Sequence, residues 1–169
     1  VINPEKGELG VIENGNAKPN ILVKQNLRAR SFAGLCKEFE TNESFRLVRR
    51  KDSRKYHHVI ISTGNQDRLL VNYEVLKDLA KKFFELRAEN CLALASPHFN
   101  TDSAHIHCLI SGVMLNGKSS RISKQKFRSI KIALEKYQKE KYPELMHSIV
   151  EHDKNKQLSK EALIEQIKK

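Results

Sequence analysis

This chain is poor in cysteine and in acidic residues, and it has no long apolar run. Its three cysteines, Cys36, Cys91 and Cys108, are an odd number, sit in apolar surroundings and form no CxxC pair. That fits buried thiols in a reducing cytoplasm better than a disulfide framework or a zinc knuckle. No stretch approaches the ~20 apolar residues that cross a bilayer, and no signal-peptide pattern is visible. A cytoplasmic location is therefore expected. Internal repeats and low-complexity tracts are also missing. Twenty Asp and Glu stand against thirty-one Lys and Arg, a net charge of +11 and a pI near 9.6. Such an excess points to a polyanion partner. With 169 residues, 39% of them hydrophobic and 30% charged, the chain suits one domain with a real core.

What is present centres on residues 96–112, Ser-Pro-His-Phe-Asn-Thr-Asp-Ser-Ala-His-Ile-His-Cys-Leu-Ile-Ser-Gly. Cys108, Leu109 and Ile110 are β-prone, and strand side chains alternate faces. His105 and His107 then share one face, while Ile106, Cys108 and Ile110 turn to the other. Two imidazoles so placed can chelate one metal ion. His98 ends the preceding apolar run, Cys91–Ala95, and returns as a third ligand if the two strands pair. Three protein nitrogens leave positions open for substrate oxygen and water.

Along the chain, residues 1–19 read as a flexible loop or loose hairpin, rich in Gly, Pro and Asn. A strand is expected over 20–28, and a helix capped by Ser31 over 32–39. The segment 45–55 holds six cations in eleven residues: Arg46, Arg49, Arg50, Lys51, Arg54 and Lys55. That density suits phosphate contacts. Tyr56–Ser62 reads as a strand with His57 and His58 on opposite faces, so only one of them can approach the histidine site. An amphipathic helix follows over 73–89, buried through Val75, Leu76, Leu79, Ala80, Phe83, Phe84 and Leu86 and exposed through Lys77, Asp78, Lys81, Lys82 and Glu85. Asn116-Gly117 marks a turn. Ser123 caps a long helix that ends before Pro143, with an apolar stripe of Phe127, Ile130, Leu134 and Tyr137. Met146, Ile149 and Val150 are expected to pack, and 159–169 to form a short helix. The pattern predicts an α+β fold: a central, mostly antiparallel sheet flanked by helices. The main domain is expected over 20–150. Residues 151–169 are expected to be a C-terminal extension that could link to a further region, and the start at Val1 rather than Met suggests a fragment of a longer chain.

A histidine metal site in a basic domain suggests phosphodiester chemistry, with the metal polarising the phosphate. A tyrosine hydroxyl can serve as nucleophile through a covalent phosphotyrosine link. Of Tyr56, Tyr73, Tyr137 and Tyr142, the favoured candidate is Tyr142, off the apolar stripe and beside Lys141, followed by Tyr137.

The run His98-x6-His105-Ile-His107, followed by Cys-Leu-Ile-Ser-Gly, resembles the HUH signature of relaxases, the mobilization nucleases of plasmids and conjugative elements. Tyr56-His-His-Val-Ile-Ile-Ser62 resembles the strand that precedes it in that family. Arg49-Arg-Lys-Asp-Ser53 and Glu140-Lys-Tyr-Pro-Glu-Leu145 resemble segments of a branch found on bacterial mobile elements. The resemblance implies a five-stranded antiparallel sheet with helices and a metal triad of His98, His105 and His107 holding Mg²⁺ or Mn²⁺. It also implies Asp102 as a residue that orients a ligand. The substrate it implies is single-stranded DNA at an origin of transfer, nicked to a 5′-phosphotyrosyl adduct, with other relaxosome proteins as partners. Two departures stand out. The early helix, Ser31–Phe39, has no tyrosine, and Ser111 stands where relaxases often carry Asn. The nucleophile is then downstream, as in replication-initiator relatives, or it is not in this chain, or the chain is a non-catalytic nucleic-acid-binding domain of the same fold. A metal-dependent hydrolase of small phosphoesters fits the basic surplus less well.

Overall fold

The computed structural model describes residues 10–13, 16–19, 23–64, 67, 69–99 and 104–145. Asp102, Met146, Ile149, Val150 and the helix expected over 159–169 lie outside them, as does the ring of His98.

Among the described residues nine strands and α-helices are arranged as ββ-βαβαββα, followed by a 3-10 turn at Pro143–Leu145. A hairpin pairs β1 (Gly10–Glu13) with β2 (Asn16–Pro19) as a separate two-stranded sheet. The main sheet holds β3 (Val23–Gln25), β4 (Tyr56–Ser62), β5 (Cys91–His98) and β6 (His105–Met114) in the order β3-β5-β6-β4. Every pairing is antiparallel. The α+β expectation holds, but among the described residues the main sheet has four strands rather than five. The strand expected to run to residue 28 also ends earlier, at Gln25. Asn26 leaves it at φ 58 and donates to the carbonyls of Glu89 and Cys91. This left-handed turn, which Asn tolerates, ends the pairing.

The helices start where their capping residues stand. Ser31 accepts the Gly34 amide at the head of α1 (Phe32–Ser44), Asn72 that of Val75 at the head of α2 (Tyr73–Arg87), and Ser123 that of Lys126 at the head of α3 (Lys124–Lys141). Such caps satisfy amides that have no partner inside the helix. α1 runs five residues beyond the expected Phe39. Its last turn is held by Asn42, which is buried and donates to Ser111 Oγ and to the Val113 carbonyl.

Parity of β6 divides the molecule into layers. Ile106, Cys108 and Ile110 are buried beneath α2 and α3, in one cluster with Leu76, Leu79, Ala80, Phe83, Phe84, Ile130 and Leu134. Of the stripe expected on α3, Ile130 and Leu134 are buried, Tyr137 is half-buried and Phe127 is exposed at 42%. Gln138 is also buried and donates to the Leu145 carbonyl. The other face of the sheet carries His105, His107 and Ser111, and α1 covers only its Ser111 end.

Gly112 fixes how the chain enters this end. Its amide donates to the Lys55 carbonyl at 2.7 Å, and a Cβ there would collide with the Arg54 carbonyl oxygen.

Candidate metal and nucleic-acid site

The register of β4 on β6 pairs Ser62 with His105, Ile60 with His107 and His58 with Leu109. Directly opposed residues in an antiparallel pair share a face, so His58 joins His105 and His107 while His57 turns to the helical layer. The rings meet. His105 Nε2 lies 3.1 Å from His107 Nε2, and His107 Nδ1 lies 3.0 Å from His58 Nε2. The His58 and His107 rings stack 5° from parallel. His107 therefore has a neighbouring imidazole at each ring nitrogen. Burial, then the charges of His105 and His58, hold its pKa below the ordinary histidine value. Below that range the ring is charged, and above it neutral and able to bind a metal.

Two nitrogens that share one octahedral cation, each about 2.1 Å from it, stand about 3 Å apart. The His105–His107 separation of 3.1 Å fits. His58 meets the opposite edge of the His107 ring, so its lone pair does not converge with theirs. Among the described residues no three His, Cys, Asp or Glu side chains form a complete metal-binding group. The backbone of His98 is paired directly with His105. The residues present thus suit a cation at the His105–His107 pair. His58, one of two adjacent histidines on a strand, was assignable to this face only once the neighbour of β4 was known.

The downstream tyrosines lie elsewhere. Tyr137 and Tyr142 both donate to Asp78 Oδ2 at 2.9 Å, and Lys141 Nζ reaches Asp78 Oδ1 at 2.7 Å. They pack against the core cluster between α2 and α3, across the sheet from His105 and His107. Burial and then the bond to Asp78 push the Tyr142 phenol up to about 12. Burial works against the Asp78 carboxylate, but bonds from Lys141, Tyr137 and Tyr142 outweigh it and hold its pKa low. Asp78, read as an outward residue of an amphipathic helix, is thus the anchor of the α2–α3 contact. No sequence signal distinguishes it from other exposed helix carboxylates. Tyr56 shares the histidine face through its register with Ser111, and its ring meets Phe39 edge-on. The Tyr73 ring meets that of Phe99, the residue after His98, at a tilt of 59° with 4.4 Å between centroids.

The six cations of 45–55 divide into two groups. Arg46 turns inward: Nε and one terminal nitrogen bind Glu43 at 2.7 Å each, and the latter also reaches the Arg54 carbonyl. The Arg46 bond, followed by burial, sets the Glu43 pKa, with a net lowering. Arg49, Arg50, Lys51, Arg54 and Lys55 are exposed.

An antiparallel sheet with paired imidazoles on an open face, beside a basic loop, defines a class of α+β domain equipped for a cation and a polyanion. The relaxase family, MobA/VirD2-like nuclease domain, matches residues 12–142, and the chain belongs to it. No curated protein and no solved structure matches. Among the described residues no helix is long and apolar enough to cross a membrane.

Proposed function

We propose that this chain nicks single-stranded DNA at an origin of transfer and transfers the strand, as a metal-dependent relaxase in plasmid or conjugative-element mobilization. The observation that carries the reading is the approach of His105 and His107 on an open sheet face in a member of the relaxase family. His98, His105 and His107 hold Mg²⁺ or Mn²⁺, and Asp102 orients one of them. The bound ion supplies Lewis-acid polarisation of the scissile phosphate. The basic loop positions the strand through its phosphates. A tyrosine attacks phosphorus and becomes the 5′-phosphotyrosyl ester while the 3′-hydroxyl leaves. Tyr142 is the first candidate for that tyrosine and Tyr137 the second, and attack requires the hydroxyl to leave Asp78 Oδ2, to which both donate. The protein works in the cytoplasm with other relaxosome proteins.

The test is a labelled single strand incubated with the protein and Mn²⁺, then scored for an adduct that survives SDS. Loss of the adduct in Tyr142→Phe or Tyr137→Phe names the nucleophile. Loss in Tyr73→Phe or Tyr56→Phe instead moves it to the histidine side of the molecule. If no adduct forms with either metal, the nicking reading fails.

A second reading is a non-catalytic nucleic-acid-binding domain. One observation favours it: both downstream tyrosine hydroxyls are committed to Asp78, in the layer across the sheet from the histidines. Strand binding without an adduct supports it.

A further inference from the structure

Three apolar side chains just after α1 stand largely in solvent. Phe45, Leu47 and Val48 are 64%, 68% and 66% exposed, and Leu115, from the turn after β6, faces the same region at 52%. The loop is nevertheless knit in place. Leu47 N donates to the Gly117 carbonyl at 3.0 Å, and the Phe45 amide closes α1 on the carbonyls of Asn42 and Glu43. Phe45 and Leu115 line a groove of ≈ 560 Å³ whose floor and rim include Ala29, Lys37, Thr41 and Leu92.

Charge identifies the occupant. Arg49, Arg50 and Lys51 follow the apolar trio directly, and Arg28, Arg30 and Lys37 stand exposed on the other rim. The carboxylates nearest these groups are mostly committed: Glu38 accepts the amides of Arg28 and Ala29, and Glu43 holds Arg46. Among the described residues Glu40, Asp52 and Glu89 are exposed against six cations. Apolar faces next to unpaired cations complement a ligand that alternates flat apolar groups with negative charges. Single-stranded DNA does so, through its bases and phosphates. The surface also continues toward the histidines. Tyr56, His58 and Ile60 are exposed along β4, on the face that bears His105 and His107.

We propose that Phe45, backed by Leu47, Val48 and Leu115, is a docking platform for a base of single-stranded DNA. Arg49, Arg50 and Lys51 take the flanking phosphates. The proposal rests on the nuclease reading for its substrate class and adds the residue on which a base stacks.

The test is anisotropy of a labelled oligothymidylate in EDTA, so that binding is measured without turnover. Phe45→Ala should weaken binding about ten-fold with an unchanged salt slope, and Phe45→Trp should restore it. On an oligonucleotide with abasic sites the wild type should bind as weakly as Phe45→Ala, and the substitution should have no further effect. Because Phe45 contributes to the fold through its backbone, the melting temperature of Phe45→Ala should match wild type. Equal affinity of Phe45→Ala and wild type for the normal strand overturns the proposal. So does an equal loss on normal and abasic strands. A third overturning result is a dimer in sedimentation that Phe45→Ala dissociates without changing DNA affinity, which makes the patch an interface between copies. Strong binding with no SDS-stable adduct sinks only the nicking reading, and wild type that binds no strand sinks both.

Discussion

Tyr142 donates its hydroxyl to Asp78 Oδ2 at 2.9 Å, tying the residue after α3 to the second turn of α2. Tyr137 and Lys141 bind the same carboxylate. Asp78→Asn should therefore cost about 1–3 kcal/mol of stability, the range for charge-assisted bonds at a partly buried group. In the same variant the Tyr142 phenol should titrate below about 12. It should stay above the ordinary ~10, because burial, the larger cause, persists. Denaturant melts and phenolate absorbance check both, and an unmoved phenol titration would detach Tyr142 from Asp78.

The same carboxylate gives a pH dependence with a defined sign. Its pKa is lower folded than unfolded, so the folded state holds fewer protons. The resulting stability is complete above the unfolded value of ~3.9. It is lost as pH falls through the folded value. The difference in melting temperature between wild type and Asp78→Asn should be constant from pH 7 to about 5 and shrink in stronger acid. A gap that widens on acidification would contradict the assignment.

Removing a metal ligand has a thermal signature. A ligand that binds only the folded state at a hundred times its Kd stabilises by about 2.7 kcal/mol. Mn²⁺ should thus raise the melting temperature of wild type, and His105→Ala should abolish the rise. Wild type that melts identically with and without Mn²⁺ would make the His105–His107 pair structural.

The basic loop should separate by residue. Neutralising Arg49, Arg50 and Lys51 together should lower the salt slope of single-strand binding by about two, at about 0.7 per phosphate contact. Arg46→Ala should leave the slope unchanged and lower the melting temperature, since Arg46 is spent on Glu43 and the Arg54 carbonyl. The reverse pattern would place Arg46 at the DNA.

Gly112→Ala should destabilise by about 2 kcal/mol through steric overpacking, because its Cβ would displace the 54–55 backbone. For a domain of this size that is a fall of about 4–8 °C in melting temperature. A melt within 1 °C of wild type would show that this backbone moves aside freely.

Local signals sufficed for β4, α2 and α3, because alternation, 3.6-residue periodicity and caps act over a few residues. Tyr56–Ser62 is a strand, Ser123 is a cap, and six of the seven α2 core positions are buried. The shared face of His105 and His107 follows from the same alternation. Sequence alone does not carry strand order or the face on which a helix lands. Pairing β6 with β4 on one side and β5 on the other brought His58 to His107. Packing α3 beside α2 sent Tyr137 and Tyr142 to Asp78, 59 and 64 residues away in the chain. Both outcomes are long-range choices set by burial of Ile106, Cys108 and Ile110. The sequence determined which residues could meet a cation and a polyanion, and the tertiary structure decided which of them share a surface.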